Sequence, residues 1–473
     1  MGIESGTSPQ NNVAALFEPR NVAVIGSFKE GWFGAYIVAK QLLDFGFRGK
    51  VYPINPNYDT ALGLRVYPSV LDVPDPIDLV IVVTAARTLP GILQQCAQKG
   101  VKAAIIVSDG FAERDEAGAR LQQDMVAIAR RANLRLLGPN TVGVVNTAKG
   151  LLTNPYLMEY GKFTPGSISL CSQTGILGSQ ALPLGDTRYR IGKMCDFGNK
   201  CDVNELDLLE YLGNDPQTSV IAMHLEDIKD GQAFLEKARK VTAKKPVIIL
   251  KPGRTELSAK ALVSHTGSLA GEDRVYSQAL KQAGVIRVDT LRELIEIPKV
   301  FAYQNCLPSG NRVALITISG GIGVMGIDAA AECGLTPAHV APDTAQKLDE
   351  IFTSLGKNPV DFGPAIPLVP DFAKWYSETV VQVLNDDNVD CAALVMYGGL
   401  LLLSMETFAD IRRKVSKPMT MWLYGQRLAA VAEWGGLLDD LGIPVYSEWP
   451  TAVKALGIAH QYAKIREESM LKG

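Results

Sequence analysis

The stretch NVAVIGS, residues 21–27, is an apolar run that ends in Gly26 and Ser27. Short apolar runs rich in β-branched residues and closed by a glycine are typical of buried strands. A helical pattern follows from about Ala35, after the segment GSFKEGWFG (26–34). The sequence therefore opens with a strand, a turn and a helix, which is the first half of a βαβ unit.

The same plan continues along the chain. Further short apolar runs, each closed by a small or turn-forming residue, occupy 50–56, 78–85, 102–110 and 134–140. Strands that alternate with helices form parallel sheets with helices on both faces. Ligands of such sheets bind beyond the carboxyl ends of the strands. The first part of the chain is therefore predicted to be a Rossmann-like domain with its ligand at that edge.

Two more blocks repeat the alternation. The second has predicted strands at 167–172, 219–227, 245–253 and 284–289, and the third at 312–319, 391–399, 418–425 and 443–447. Both begin with a strand, a serine and a glycine-containing turn, which in the third block is GGIGVMG (320–326). We expect an α/β protein with an N-terminal Rossmann-like domain and two flavodoxin-like doubly wound domains. The expected boundaries are 1–147, 148–306 and 307–473.

Composition narrows the class of protein. The 473 residues carry 47 basic and 50 acidic side chains, so we expect no nucleic-acid surface and no membrane-binding patch. The seven cysteines contain no C-x-x-C pair, which favours a reduced, cytoplasmic chain over a disulfide scaffold or a zinc site. No apolar run approaches membrane-spanning length, and the first residues lack the pattern of a signal peptide.

The first block carries no NAD fingerprint. The glycines of GSFKEGWFG are spaced too widely for G-x-G-x-x-G, and no acidic residue follows the second strand to hold a ribose diol. Lys50 precedes that strand and INPN follows it. A lysine in place of an acid suits a nucleotide with a 3′-phosphate better than NAD. The alternative is a sheet with tight turns and no ligand.

The second block opens on a candidate anion site. SQTGILG (172–178) places Ser172, Gln173, Thr174 and Gly175 between a strand and a helix. Free backbone N–H groups and the helix dipole attract anions at such a helix start. A plain helix cap with a packing glycine is an equally simple interpretation of this motif alone.

One of only four histidines lies in a second segment of this kind, SHTGSLAG (264–271). His265 stands there among Ser264, Thr266 and Gly267, and a helix is expected to start immediately afterwards. A neutral imidazole in this setting can accept a phosphoryl group and pass it on, which divides one transfer into two easier steps. A solvated loop histidine with no chemical role is the competing interpretation.

A phosphoryl-carrying histidine needs a carboxylate that fixes its tautomer and stabilises positive charge on the ring. Glu226, at the end of the predicted strand 219–227, is the best candidate, and Asp227 and Glu256 remain alternatives. The chain contains no G-x-x-x-x-G-K-[ST], H-E-x-x-H or G-x-S-x-G motif. A nucleotide that exchanges phosphate with His265 is therefore expected on another chain, and we expect no metal site in this one.

Taken in order, the motifs YPINP, VSDGFAE, GPN, SQTGILG, KPGR and SHTGSLAG resemble those of the NDP-forming acyl-CoA synthetases. A close match is the α subunit of ADP-forming acetate–CoA ligases, relatives of the succinyl-CoA synthetase α subunit. It extends through GGIGVMG, NPVDF (358–362) and GIPVYSEWP, so it covers essentially the whole chain, and SHTGSLAG is its most specific part.

The resemblance implies a CoA-binding domain, two ligase domains and a reversible reaction. Acyl-CoA and phosphate give acyl phosphate, the acyl phosphate phosphorylates His265 with support from Glu226, and the phosphohistidine is carried to ADP. Gln173, Thr174 and Gly175 correspond to the phosphate-binding helix start. The implied CoA contacts are Gly26, Ser27, Asn55, Pro56, Thr84, Ser108, Gly110, Gly138, Pro139 and Asn140.

The resemblance also implies a partner. ATP or ADP and Mg²⁺ would bind to an ATP-grasp β subunit, in an expected α2β2 assembly. Asp109 and Thr141 depart from the usual residues of the family near the CoA and acyl end, so the acid is left open. Two other hypotheses remain: a non-catalytic CoA- or nucleotide-binding regulator, and an NAD-dependent dehydrogenase. The missing acid after the second strand argues against the dehydrogenase.

Overall fold

The structure, a computed structural model, describes residues 12–157, 164–175, 189–266, 273–353, 355–368, 370–398 and 403–472, with the backbone alone for 262–266 and 472. The chain divides into two compact units, Met1–Thr290 and Leu291–Gly473. Each unit is described by itself below. Among the described residues, no helix combines the length and the apolar character needed to cross a membrane.

The first unit begins with a five-stranded parallel sheet in the order β2-β1-β5-β6-β7. Its strands are β1 Asn21–Gly26, β2 Lys50–Ile54, β5 Leu79–Val83, β6 Ala103–Ile106 and β7 Arg135–Leu137, and a small hairpin is formed by β3 Thr60–Ala61 and β4 Leu64–Arg65. Its helices are Ala14–Phe17, Ala35–Asp44, Leu89–Lys99 and Glu116–Arg131. The apolar runs form these strands because helices cover both faces of the sheet.

The second sheet of this unit has seven strands in the order β14-β13-β12-β10-β11-β8-β9. Its strands are β8 Val144–Asn146, β9 Leu151–Leu152, β10 Ile168–Ser172, β11 Ile191–Asp196, β12 Val220–His224, β13 Val247–Leu250 and β14 Ile286–Val288. Its described helices are Glu205–Asn214, Gly231–Thr242, Glu256–Thr266 and Asp273–Gln282. Strands β10 to β14 run parallel, and β8 pairs antiparallel with β11.

The second unit contains the third sheet, in the order β16-β15-β18-β19-β20 with β17 beside β15. Its strands are β15 Arg312–Thr317, β16 Thr336–Pro337, β17 Val360–Asp361, β18 Cys391–Tyr397, β19 Met419–Tyr424 and β20 Val445–Tyr446. Its helices are Leu291–Glu296, Lys299–Tyr303, Gly320–Glu332, Pro342–Ile351, Phe372–Asn385, Met405–Lys414, Leu428–Asp440 and Trp449–Lys472. All strand pairs of this sheet are parallel.

The α/β class and the parallel sheets agree with the expectation, and local features differ. Strand β11 and the short strands β3, β4, β8, β9, β16 and β17 were not predicted. GGIGVMG forms the start of the helix Gly320–Glu332 where a turn was expected. Gly326 serves packing there, because a Cβ on it would lie 2.8 Å from the Trp449 ring. The three-domain division stays a prediction; β8 and β9 belong to the second sheet, and Leu291–Tyr303 belongs to the second unit.

Candidate functional site

A cavity of about 1110 Å³ lies in the first unit, between the carboxyl ends of its two large sheets. This is the edge at which parallel sheets bind ligands. The wall from the first sheet includes Thr84, Ser108 and Asn140, and the wall from the second sheet includes Gln173, Thr174, Gly175, Asp196, Glu226 and Asp227. The structure therefore brings together predicted residues of the CoA set and of the phosphate set.

On the first wall, three strand ends are joined by hydrogen bonds. The Ser108 hydroxyl donates to the carbonyl of Thr84, and the backbone N–H of Asn140 donates to the carbonyl of Ser108 at 2.8 Å. Gly138, at φ 96°, allows this close approach, because a Cβ there would lie 2.7 Å from the Ile106 carbonyl oxygen. Residue 138 therefore has to be glycine for the turn through Pro139 and Asn140 to reach the cavity.

Gly26, Ser27 and Asn55 meet at the ends of β1 and β2. The Asn55 side-chain amide donates to the Gly26 carbonyl at 2.7 Å, and the Ser27 hydroxyl lies 3.4 Å from that of Tyr58. A Cβ on Gly26 would lie 2.5 Å from the carbonyl oxygen of Val83, which lines the cavity. Pro56 follows Asn55 directly at the end of β2.

Gly110 lies elsewhere, in the loop that follows β6, where its N–H donates to Glu113 Oε1 at 2.7 Å.

Lys50 lies apart from this group. It is the first residue of β2, at the amino end of the sheet, whereas Gly26 and Asn55 lie at or just beyond the carboxyl end. Its ammonium pairs with the carboxylate of Asp75 at 2.7 Å. The structure therefore does not bring Lys50 to the candidate CoA residues, and its assignment to the CoA set is corrected. Lys50 begins its strand, and the amino ends of parallel strands lie at the edge opposite to the one that binds ligands.

On the second wall, the Gln173 side chain fixes the loop that follows β12. Its Oε1 accepts the N–H of Glu226 at 2.9 Å and that of Asp227 at 3.3 Å, while its Nε2 donates to Asp227 Oδ1 at 2.6 Å. The Ser172 hydroxyl accepts the N–H of Thr174 at 3.0 Å. Gln173 therefore acts as a clamp that holds the position of Glu226 relative to the turn predicted to bind an anion.

The candidate carboxylates have different environments. Asp227 is buried and forms an ion pair with Lys200 at 2.6 Å, and Lys200 also contacts Glu205 at 3.0 Å. Glu226 is half-buried and lines the cavity. The Lys200 ammonium already neutralises the Asp227 carboxylate, so Asp227 has less negative charge to offer to an imidazolium ring. The geometry therefore favours Glu226 over Asp227.

His265 lies in the last turn of the helix Glu256–Thr266, together with Ser264 and Thr266. A turn that precedes a helix was expected, and this expectation is corrected: the run ELSAKALVSHT is rich in helix formers and continues to Thr266. Glu256 begins the same helix, nine residues earlier, which is about 13 Å along the axis. Gly267 and the side chains of Ser264, His265 and Thr266 lie outside the described residues.

Asp196, at the end of β11, is a cavity residue that the sequence analysis missed. It is 1% exposed, its Oδ2 accepts the N–H of Val142 at 2.8 Å, and its backbone carbonyl accepts the hydroxyl of Thr141 at 2.6 Å. Burial first, and the charge of Glu226 to a smaller extent, raise the pKa of Asp196 to about 6. The sequence Asp196-Phe197-Gly198, an acid and a turn residue at the end of a strand, is the local signal that could have identified Asp196.

Comparisons with known proteins agree with this arrangement. Residues 20–147 match the family profile described as a CoA binding domain, and residues 165–301 match the succinyl-CoA ligase like flavodoxin domain. The α subunit of acetate–CoA ligase [ADP-forming] I of Pyrococcus furiosus is 38% identical over 475 residues, which cover 96% of this chain and 98% of that subunit.

A longer relative and a solved structure show the same likeness. Acetate–CoA ligase [ADP-forming] II of Archaeoglobus fulgidus is 38% identical over 460 residues, covering 96% of this chain and 67% of that protein. The dinucleotide-forming acetyl-coenzyme A synthetase 1 of Ca. Korarchaeum cryptofilum, solved with phosphate and ADP, has a TM-score of 0.86 at 30% identity and covers 98% of this chain and 99% of its own. The chain therefore belongs to the ADP-forming acyl-CoA synthetases, acid–CoA ligases that combine a CoA-binding domain with a succinyl-CoA ligase-like flavodoxin domain.

Proposed function

We propose that this chain is the α subunit of an ADP-forming acyl-CoA synthetase, which interconverts acyl-CoA, ADP and phosphate with acid, CoA and ATP. The observation that carries the proposal is the Gln173 clamp. It holds Glu226 beside the proposed phosphate-binding turn on one wall of a cavity whose other wall includes Thr84, Ser108 and Asn140 of the candidate CoA set. The relatives are named for the same reaction with acetate.

The proposed chemistry proceeds in three reversible steps. Phosphate attacks the thioester carbonyl, so a C–O bond forms, the C–S bond breaks and CoA leaves as its thiolate. The imidazole of His265 then attacks phosphorus, an N–P bond forms and the carboxylate leaves. Finally a terminal oxygen of ADP takes the phosphoryl group, and the N–P bond breaks. The phosphate is proposed to bind at the helix start that follows β10, and Glu226 stabilises positive charge on the imidazole ring.

CoA is proposed to bind along the first wall. The hydroxyls and turns that would contact it are Gly26, Ser27, Asn55, Pro56, Thr84, Ser108, Gly110, Gly138, Pro139 and Asn140. We leave Lys50 out of this set because it lies at the opposite edge of the sheet and pairs with Asp75. A cavity of about 1110 Å³ exceeds the volume of most drug-sized sites, which suits a ligand as long as CoA.

The nucleotide half of the reaction is proposed to belong to a partner. The Pyrococcus relative is named a subunit alpha, and the longer Archaeoglobus relative extends beyond the part that this chain matches. We propose that an ATP-grasp β subunit binds ADP and Mg²⁺ and completes the reaction in an α2β2 assembly. The chain without this subunit would still form the phosphohistidine from acyl phosphate.

The proposal is tested by intact-protein mass after incubation with Mg²⁺, phosphate and a panel of acyl-CoAs. We expect an acid-labile gain of one phosphoryl group that is absent from His265→Asn, while CoA binding is retained. Glu226→Gln should slow phosphorylation by about two to four powers of ten. Loss of CoA binding together with phosphorylation in His265→Asn would indicate a structural role for the histidine.

The acid is identified by the same panel, because the acyl-CoA that gives the fastest mass gain names the acyl group. If no acyl-CoA or acyl phosphate modifies the chain, with or without a β subunit and ATP, and CoA still binds, the chain is a CoA-binding regulator and the proposed reaction is wrong. Equal phosphorylation of His265→Asn would assign the phosphoryl group to another residue.

A further inference from the structure

Three aromatic side chains form a cluster beside the cavity of the first unit, and two of them line it. Phe33 and Tyr156 are cavity residues, and their ring centres lie 4.9 Å apart. The Trp32 ring stacks on that of Tyr156, with 5.9 Å between the ring centres and an angle of 29° between the planes. None of the three belongs to the candidate CoA or phosphate residues, so this aromatic cluster requires an explanation of its own.

The aromatic cluster is not part of the hydrophobic core. Trp32 is 70% exposed and Phe33 is 41% exposed, while Tyr156 is half-buried. Apolar side chains that are exposed side by side mark places where a ligand or another surface binds. Because Phe33 and Tyr156 line the cavity, their exposed faces are open to a ligand inside it.

The backbone holds the two cavity rings side by side. Phe33 and Tyr156 are the opposed residues of an antiparallel bridge, which places their side chains on the same face. The N–H of Gly34 donates to the carbonyl of Pro155 at 2.9 Å on one side of this bridge, and a second backbone bond of 2.8 Å lies on its other side. The rings are therefore positioned before any ligand binds.

Tyr156 lies at the phosphate end of the cavity. Strands β8 and β9 pair antiparallel, and their ladder continues with Thr153, whose N–H donates to the carbonyl of Val144 at 3.1 Å. Beyond Val144 the chain reaches Val142, which packs on the proposed phosphate turn, since a Cβ on Gly175 would lie 3.3 Å from a Val142 methyl group. Tyr156 lies beyond Thr153 at the same end of this ladder.

This position indicates which part of a thioester the aromatic cluster contacts. In the proposed reaction phosphate attacks the thioester carbonyl, so the acyl group lies next to the phosphate when the C–O bond forms. An apolar surface in the same cavity, at the end of the ladder that carries Val142 and Gly175, suits the acyl group better than the nucleotide of CoA. An acetyl group ends in one methyl and cannot cover two rings, whereas an aromatic ring can pack on both.

We propose that Phe33 and Tyr156 form the acyl-binding position of this site, and that this position selects acids whose acyl group carries an aromatic ring. The inference rests on the proposed function and names its substrate class. The acyl ring packs against Phe33 and Tyr156, and Trp32 supports Tyr156 by stacking on it. The three side chains exchange no proton and form no bond, so the balance of the transfer to His265 is unchanged.

The test uses the full chain, inorganic phosphate and two thioesters, phenylacetyl-CoA and acetyl-CoA. The wild type should bind phenylacetyl-CoA about tenfold or more tightly than acetyl-CoA, measured by calorimetry, because the added ring buries apolar area. Phosphorylation of His265 at limiting thioester, measured by intact mass, should favour phenylacetyl-CoA by a similar factor. Equal affinity of the wild type for the two thioesters would overturn the proposal without any variant.

Substitution of the two rings identifies the part of the ligand that they contact. Phe33→Ala and Tyr156→Ala should each weaken phenylacetyl-CoA binding about tenfold and leave acetyl-CoA binding within about twofold of the wild type. Tyr156→Phe keeps the ring and should behave as the wild type. If Phe33→Ala weakens the binding of CoA itself as much as that of phenylacetyl-CoA, the rings contact CoA and not the acyl group, and the proposal is wrong.

Phe47→Ala is the matched control. Phe47 is also a partly buried phenylalanine of the first unit, but it lies shortly before β2, at the edge of the sheet opposite to the cavity. This variant should keep the preference for phenylacetyl-CoA. Equal losses of that preference in Phe47→Ala and Phe33→Ala would assign the effect to lost stability and overturn the proposal.

The outcomes separate the acyl position from the proposed function. If phenylacetyl-CoA binds more tightly and Phe33→Ala removes this preference, but no thioester modifies His265 with or without a β subunit, the acyl position stands and the proposed function fails. If acetyl-CoA phosphorylates His265 as fast as phenylacetyl-CoA at limiting concentration, the function stands and the selection of aromatic acids fails.

Discussion

The ends of β10 and β15 carry the same local motif in two different environments. Each strand is followed by a serine and glycine before a helix: Ser172 to Gly175 in the first unit, and Ser319 to Gly321 in the second. At the first, the serine hydroxyl accepts a backbone N–H, and Gln173 contacts the backbone of Glu226 and Asp227. At the second, the Ser319 side chain makes no capping hydrogen bond.

The residues around the two turns differ in kind. The turn after β10 is surrounded by acids and lysines, among them the buried pair Lys200–Asp227. The helix after β15 packs its glycines against Trp449 and Pro359, the Trp449 indole donates to the carbonyl of Ile322 at 3.0 Å, and the acid beside its first turn is Asp361. A strand–serine–glycine–helix motif is therefore a scaffold, and the ionisable residues on neighbouring strands decide whether it can support chemistry.

The largest expected effect comes from the buried lysines of the two units. Lys200→Met removes the ammonium that pairs with Asp227 and Glu205, and Lys299→Met removes the ammonium 3.0 Å from the Asp439 carboxylate, a residue that is 1% exposed. Each should lose about 3–5 kcal/mol of unfolding free energy, measured by denaturant titration. Lys200→Met alone should also slow phosphorylation of His265. Equal phosphorylation rates in the two folded variants would remove the functional distinction between the units.

The pH dependence of stability should be shared by both units. Burial raises the pKa of Asp196 and of Asp439 to about 6, above the ordinary value of 3.8. The folded state then binds a proton on each carboxyl group more tightly than the unfolded state does. The free energy of unfolding is therefore highest below pH 3.8, where both states are protonated, and it falls as the pH rises through 6.

Each of the two carboxyl groups should therefore lower the free energy of unfolding by about 3 kcal/mol between pH 3.8 and pH 6. Asp196→Asn and Asp439→Asn should each flatten the curve of unfolding free energy against pH between 4 and 7. A steep curve that neither substitution changes would show that these carboxylates ionise normally.

The Gln173 clamp gives the next prediction. Gln173→Ala removes the contacts to Glu226 and Asp227, so phosphorylation of His265 should fall about a hundredfold, the effect of a small misplacement of a reacting group. Gln346→Ala is the control, since Gln346 lies on the second unit and its described side-chain bond is to exposed Glu350 at 3.3 Å. Rates measured by intact mass should not change in the control. An unchanged rate in Gln173→Ala would show that the Gln173 contacts are not needed for phosphorylation of His265.

The smallest effect compares the two serines directly. Ser172→Ala removes the hydrogen bond with Thr174 and should cost about 1 kcal/mol, the usual size of a lost helix-start contact. Ser319→Ala removes no capping bond and should cost less than about 0.5 kcal/mol. Thermal unfolding of the two variants measures the difference. A larger loss for Ser319→Ala would mean that the second turn has polar contacts that its packing does not suggest.

Much of the fold could be predicted because buried parallel strands are continuous apolar runs. The exceptions were several strands of two or three residues and the longer strand β11. In β11, Lys193 is the reason, because a lysine in the middle of the strand interrupts the apolar pattern. The lysine is tolerated because it pairs with Asp215 at 2.7 Å inside the protein. A long-range ion pair of this kind has no local signature, so Asp196 at the end of the same strand was missed as well.

The residues of the site were harder to place than the strands. Glycines in GGIGVMG indicated a turn, but they permit close packing of a helix, since a Cβ on Gly323 would lie 2.8 Å from the Pro359 ring. The sequence named Gln173 as part of an anion turn and gave no sign that its side chain reaches Glu226, a contact between strands far apart in sequence. Side-chain partners across a sheet follow from register, which local patterns do not fix.

The edge strands β8 and β9 have a practical consequence for engineering the enzyme. Strand β8 comes from the end of the segment 20–147 that matches a CoA-binding domain and β9 follows just after that segment, yet both close the edge of the neighbouring sheet. A chimaera joined at residue 147 would graft β8 from one parent onto β11 from another and would separate it from its own partner, β9. Exchange of CoA-binding modules between relatives should therefore place the junction between Leu137 and Val144, so that both edge strands travel with the sheet that they complete.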